Sequence, residues 1–146
     1  MLTIKKTSIF PASRHAVFLK LQELKTLQYI AAPYATFTPV DVTNAFIWAP
    51  GSATSYHFKL FGIIPYGTHT IRIEKFDEAD GVSSRESNKH IPVWNHDILL
   101  EVIDDAHTRY TDVVTIDAGW KTIFIYVWAR CFYSHRQRKW KKLLSP

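Results

Sequence analysis

The chain has 146 residues, a formal charge of +5, nine Phe, seven Tyr, five Trp and one Cys, a size at which one domain buries a core without disulfides or structural metal. A single cysteine excludes an internal disulfide and the usual structural zinc sites, and fits a reducing compartment. The charge is uneven, because residues 120–146 hold seven Lys and Arg and no acid while residues 1–119 hold 11 basic and 13 acidic side chains.

Leu2 to Phe10 alternates as a strand around the Lys5-Lys6 pair, and Pro11 stops it. That start lacks the 7–15-residue apolar run of a secretory leader. No segment reaches the ~18 apolar residues of a membrane span, so a cytoplasmic location is expected. Ser13 is placed to cap a helix running to Leu24, with Val17, Phe18 and Leu21 on one side. A second short helix is predicted over Thr26–Ile30, closed by Pro33.

Thr36–Val42 then reads as a strand, its Pro39 marking an edge or a bulge. Ser52–Phe61 alternates Tyr56, Phe58 and Leu60 against Ser55, His57 and Lys59, and Gly62–Gly67, with Pro65, reads as a connection. Thr68–Asp77 follows as a strand, Asp77–Gly81 as a hairpin turn, and Val82–His90 as a polar strand. Trp94–Ile103 and Thr108–Asp117 complete six strands in succession, the spacing of an antiparallel meander. The last stretch, Gly119–Leu144, has helical periodicity, with Trp120, Ile123, Phe124, Val127, Trp128, Cys131 and Phe132 as its apolar stripe. Cys131 is therefore expected as a small buried hydrophobe. A meander with one apolar face must bury it, and the terminal helix is the element long enough to do so. The expected class is α+β, in one domain spanning residues 1–146.

Period two also sorts candidate chemistry by face. Trp94, His96, Ile98, Leu100 and Val102 share one side and are the expected interior, as are His69, Ile71 and Ile73. Arg72, Glu74, Arg85 and Glu86 read as cross-strand charge pairs on a solvated surface. Asp112, between Tyr110 and Val114, is a buried carboxylate if inward and a surface ion-pair partner if outward. The pattern leaves both open. His57, His69, His90 and His96 lack metal-ligand spacing, no nucleophile-elbow or phosphate-loop motif is present, and neither metal nor organic cofactor is expected.

The order of these elements, with Ile9-Phe10-Pro11-Ala12 entering helix one, Phe61-Gly62-Ile63-Ile64-Pro65, Trp94-x-His96 and Thr108-x-x-x-Asp112, resembles the helix-grip superfamily of START, polyketide cyclase and Bet v 1-like (SRPBCC) domains. Residues 84–92 depart from the Gly-Pro-aromatic turn of its cyclase-like members. The resemblance implies a seven-stranded antiparallel sheet wrapped around a long C-terminal helix, with two short helices after strand 1 and a hydrophobic cavity between. The expected activity is binding of a hydrophobic or amphipathic small molecule, a lipid, a polyketide or similar. Its expected walls are Phe58, His69, Ile71, Trp94, His96, Ile98, Phe124, Trp128 and Phe132. The enzymatic rival is a cyclase, dehydratase or hydrolase using His69, His96 and Asp112 for proton transfer. The third reading is an adaptor for anionic membrane or nucleic acid through Arg136, Arg138, Lys139, Lys141 and Lys142 around Trp140. Its bland counterpart is that bases complement the C-terminal end of a helix dipole.

Overall fold

The computed structural model describes residues 1–41 and 48–145. Strand β1 (Leu2–Phe10) is followed by helices α1 (Arg14–Leu21) and α2 (Leu24–Ala31). Strands β2 (Ala35–Pro39), β3 (Ala53–Leu60), β4 (Ile64–Asp77), β5 (Gly81–Ser87), β6 (Val93–Asp104) and β7 (His107–Asp117) come next, then a 3₁₀ turn (Gly119–Lys121) and helix α3 (Thr122–Leu144). The strands form one antiparallel sheet in the order β1-β7-β6-β5-β4-β3-β2. Every neighbour beyond β1 is also a neighbour in sequence, the meander that the strand spacing predicts. The α1–α2 pair carries the chain from one edge of the sheet to the other.

Ser13 caps α1 as expected, its hydroxyl accepting from the Ala16 amide at 3.2 Å. Ser13→Ala is expected to lower stability by about 1 kcal/mol in urea denaturation, with Ser13→Gly costing only a few tenths. The predicted single helix to Leu24 is in fact interrupted. Its last turn closes through Gln22 and Glu23 onto Leu19 and Lys20, and Leu24 opens α2. The far end of the predicted Thr36–Val42 strand, Val42, lies outside the described residues.

Gly62–Gly67 is not a connection throughout. The reversal occupies only Phe61–Ile63, with Phe61 and Gly62 at positive φ, and β4 begins at Ile64. Pro65 is tolerated because it sits at the strand's first turn, opposite Lys59 and beside the irregularity between His57 and Lys59. At the β4–β5 hairpin, Gly81 has φ +95°, and a Cβ there would stand 2.3 Å from the Ile98 carbonyl oxygen. Only glycine admits both the conformation and the close approach of β6.

Helix α3 packs on β1, β7 and α2, but not with the face its hydrophobicity suggests. Trp120, Ile123, Phe124, Val127 and Cys131 are exposed. The buried face is instead Thr122, Ala129, Phe132, Tyr133, Arg136, Gln137 and Trp140. Cys131 is thus a surface thiol rather than a core residue. The helix was turned by polar partners: Gln137 donates to the Lys6 carbonyl at 2.8 Å and accepts from Ser8 at 2.6 Å, fixing that face on β1. Toward the helix C-terminus, Trp140 is fully buried against Phe10 and Tyr110, which themselves stack at 4.5 Å. No described helix is long and apolar enough to cross a membrane.

Candidate functional site

Between the sheet and α3 lies a cavity of about 50 Å³. A single water needs about 10–15 Å³ on such a measure and a cavity of about 150 Å³ holds benzene, so the space suits a few waters as it stands and takes one ring only when its walls move apart. Eight of the nine expected wall residues line it: Phe58 on β3, His69 and Ile71 on β4, Trp94, His96 and Ile98 on β6, and Trp128 and Phe132 on α3. Phe124 does not, because it lies on the outward face of α3 and is 67% exposed. The aromatic walls touch one another, with Trp128 stacked on Phe132 at 4.7 Å and edge-on to Phe58 and Trp94.

Inside this apolar shell runs a continuous polar chain. Glu86, placed on the surface by its charged neighbours in sequence, instead points inward, its side chain 10% exposed. One oxygen accepts from His69 Nε2 at 2.8 Å. The other accepts from the Ser84 hydroxyl at 2.6 Å and faces His96 Nδ1 at 3.8 Å. His96 Nε2 donates to Asp112 at 2.7 Å, and Asp112 also accepts from the Tyr110 hydroxyl at 3.2 Å and from Gln137 at 3.0 Å. The open question about Asp112 is therefore decided: it is fully buried. Arg85, adjacent to Glu86, does take the outward side, where it meets Glu74 at 3.4 Å and Asp97 at 3.3 Å.

The hydrogen bonds fix which nitrogen of each imidazole carries a proton. Asn88 Oδ1 accepts from the backbone amides of His90 and Ile91, so its amide nitrogen donates to His69 Nδ1 at 3.2 Å. His69 consequently accepts at Nδ1 and donates from Nε2 to Glu86, the neutral tautomer. His96 faces a carboxylate from each nitrogen and is held as the imidazolium.

Burial alone would raise the Glu86 carboxyl, yet the histidines facing it outweigh burial and hold it well below the usual carboxylate range. Burial likewise opposes ionisation of Asp112, but His96, Arg136 and Gln137 bring it below its ordinary value. Desolvation would depress His96, and its bonds to Asp112 and Glu86 reverse that into a raised pKa. Burial also raises Tyr133 and Tyr110, keeping both phenols neutral.

Arg136, assigned by sequence to the basic tail, is buried in the cavity wall instead. Its guanidinium lies over the rings of Phe132 and Tyr133, at 5.4 and 5.0 Å. Lys139 is also engaged, over Tyr29 at 4.1 Å. The expected five-residue patch is thereby reduced to Arg138, Lys141 and Lys142 as its exposed bases. His57 points outward and His90 stacks on Tyr66 at 4.3 Å, so the four strand histidines do not converge. Among the described residues no group of three His, Cys, Asp or Glu is placed to hold a metal ion.

Sequence reasoning missed Glu86 and Arg136. The first was within reach, since Val82, Ser84 and Glu86 share a side by period two and Val82 is plainly apolar. Nothing local marks Arg136, which sits among exposed bases.

No curated protein matches the sequence. Solved structures do resemble the fold over nearly its whole length. Protein CV1439 from Chromobacterium violaceum superposes with a TM-score of 0.79 at 11% identity, covering 99% of this chain and 97% of its own. A START superfamily protein from Mycobacterium smegmatis gives 0.74 at 10% identity, covering 97% and 96%. The Zhui aromatase/cyclase from Streptomyces sp. R1128 gives 0.70 at 10% identity, covering 98% and 93%. At such identities the likeness establishes the helix-grip fold and not an activity. The sequence match to DUF8410, described as a domain of unknown function, runs over residues 11–144, and the chain belongs to that family, built on the helix-grip fold.

Proposed function

We propose that this protein reversibly binds a small, largely apolar molecule in the cavity beneath α3. The observation that carries the reading is the enclosed, aromatic-walled space itself, with a few polar groups gathered along one wall, the usual composition of a small-molecule site. Its size is far below what a sterol or a two-chain lipid needs, and a guest of one ring is accommodated by displacement of the surrounding side chains.

Proton-transfer chemistry by His69, His96 and Asp112 is the weaker reading. A general base needs a lone pair within reach of the substrate, whereas both nitrogens of His69 and of His96 face protein partners. Asp112 likewise accepts from three protein donors and is fully buried.

Titration with α-methylstyrene, followed by backbone and side-chain NMR, tests the binding reading. Shifts are expected at Ile71, Ile98 and Phe132, and Ile71→Phe, which fills the space, should weaken binding about tenfold or more. Shifts confined to the outward residues Trp120, Ile123 and Phe124 would overturn it.

A further inference from the structure

The reading above leaves the chemistry of the guest open, and the polar wall narrows it. Three residues that line the cavity each carry a fully buried N–H that meets no acceptor: Arg136 at Nε, Trp128 at Nε1 and Trp140 at Nε1. Arg136 is itself 93% buried, as only 7% of it is exposed. Among the described residues its guanidinium has no carboxylate within ion-pair distance, although Glu86 and Asp112 lie in the same cluster. Buried donors of this kind are ordinarily matched, because an unmade hydrogen bond in an apolar enclosure is costly. Trp128, Phe132, Arg136 and Trp140 follow one another at intervals of four, so the three donors project from one side of α3.

The charges around them already balance. Arg136 and the His96 imidazolium are positive, Glu86 and Asp112 are negative, and His69 is neutral because Asn88 donates to its Nδ1. A guest bringing its own charge would leave the enclosure with an uncompensated ion, which a low-dielectric interior disfavours strongly. The site therefore asks for acceptors and not for charge.

Resting on the binding reading, we infer that the ligand is an uncharged, one-ring-sized apolar compound bearing a carbonyl or comparable oxygen, which accepts hydrogen bonds from Arg136 and Trp128. Carboxylates and amines of the same shape are excluded by the balance of buried charge. Arg136 is then a specificity-determining residue: it selects oxygen over an apolar group at one end of the cavity, while Ile71, Ile98 and Phe132 hold the hydrocarbon part.

Four probes of one shape separate the possibilities: acetophenone, its near-isostere α-methylstyrene, benzoate and benzylamine, each titrated into the full chain by NMR. Acetophenone is expected to bind, and benzoate and benzylamine at least tenfold more weakly. The ratio of the acetophenone to the α-methylstyrene dissociation constant removes the differing hydration of the two compounds when it is compared between variants. Arg136→Met should shift that ratio about tenfold or more against the ketone, leaving α-methylstyrene bound. Trp128→Phe keeps an aromatic ring at this position, removes one donor, and should shift the ratio in the same direction about threefold, the added space acting alike on the two isosteric probes, which serves even if Arg136→Met does not fold. An unchanged ratio in Trp128→Phe and in any folded Arg136→Met, or benzoate as the tightest ligand, overturns the inference while leaving cavity binding standing. Failure of all four probes to shift the cavity resonances overturns both.

Discussion

Asp112→Ala is expected to remove about 3–5 kcal/mol of stability, the range for breaking a buried ion pair by deleting one member. Asp112 is the common acceptor for the His96 imidazolium, the Tyr110 hydroxyl and the Gln137 amide. Alanine would leave all three donors buried without a partner, and would also release the contact that orients α3 on β1 and β7 through Gln137. Set against a total stability of about 5–15 kcal/mol for a domain, this is a large share. Asp112→Asn, which keeps an acceptor and loses the charge, should cost less. On the outer face, Asp97→Ala breaks an ion pair with Arg85 that is longer, at 3.3 Å, and partly solvated; less than about 1 kcal/mol is expected there. Urea denaturation of the three variants side by side checks the order. Equal losses at Asp112 and Asp97 would show that the buried chain does not hold the sheet and α3 together.

Stability should also peak in mildly acid solution and decline on both sides. Glu86 and Asp112 have folded pKa values below their ordinary 4.5 and 3.8, so their contribution is complete above those values and is lost as the pH falls through the lower, folded ones. His96 runs the other way. Its folded pKa is raised above 6.5, so its contribution is complete below 6.5 and is lost as the pH rises through the raised value. Between about 4.5 and about 6.5 all three contributions are present together. Urea midpoints measured from about pH 3 to about pH 9 should trace that dome, and His96→Gln should flatten its alkaline limb while lowering its top. A profile that stays level above 6.5 in the unaltered protein would contradict an imidazolium at His96.

The inward set Trp94, His96, Ile98 and Leu100 could be read directly from the alternation of β6, and His69, Ile71 and Ile73 from that of β4, while Val102, expected on the same side, lies near the end of β6 and is exposed. A strand's two faces are fixed by period two, and a single run of apolar residues identifies which face is covered. The number and order of the elements followed for the same reason, as each is bounded by local signals such as Ser13, Pro11 and the Asp77–Gly81 turn.

Helix α3 was different, because it carries two apolar stripes, and hydrophobicity alone favours the one with Trp120, Ile123, Phe124 and Val127. The buried stripe contains Gln137, whose partners Ser8, Lys6 and Asp112 lie more than 20 residues away in the chain. Glu86 entered the cavity wall on the same terms, since His69 and His96 on the neighbouring strands face its carboxylate, whereas Arg136 lies over the rings of Phe132 and Tyr133 on its own helix. Local patterning by itself thus determined the strands, their inward faces and the terminal helix. Only the tertiary structure decided which side of that helix turns inward and which charges are enclosed, since both depend on hydrogen bonds between segments that meet only when the sheet has closed over α3.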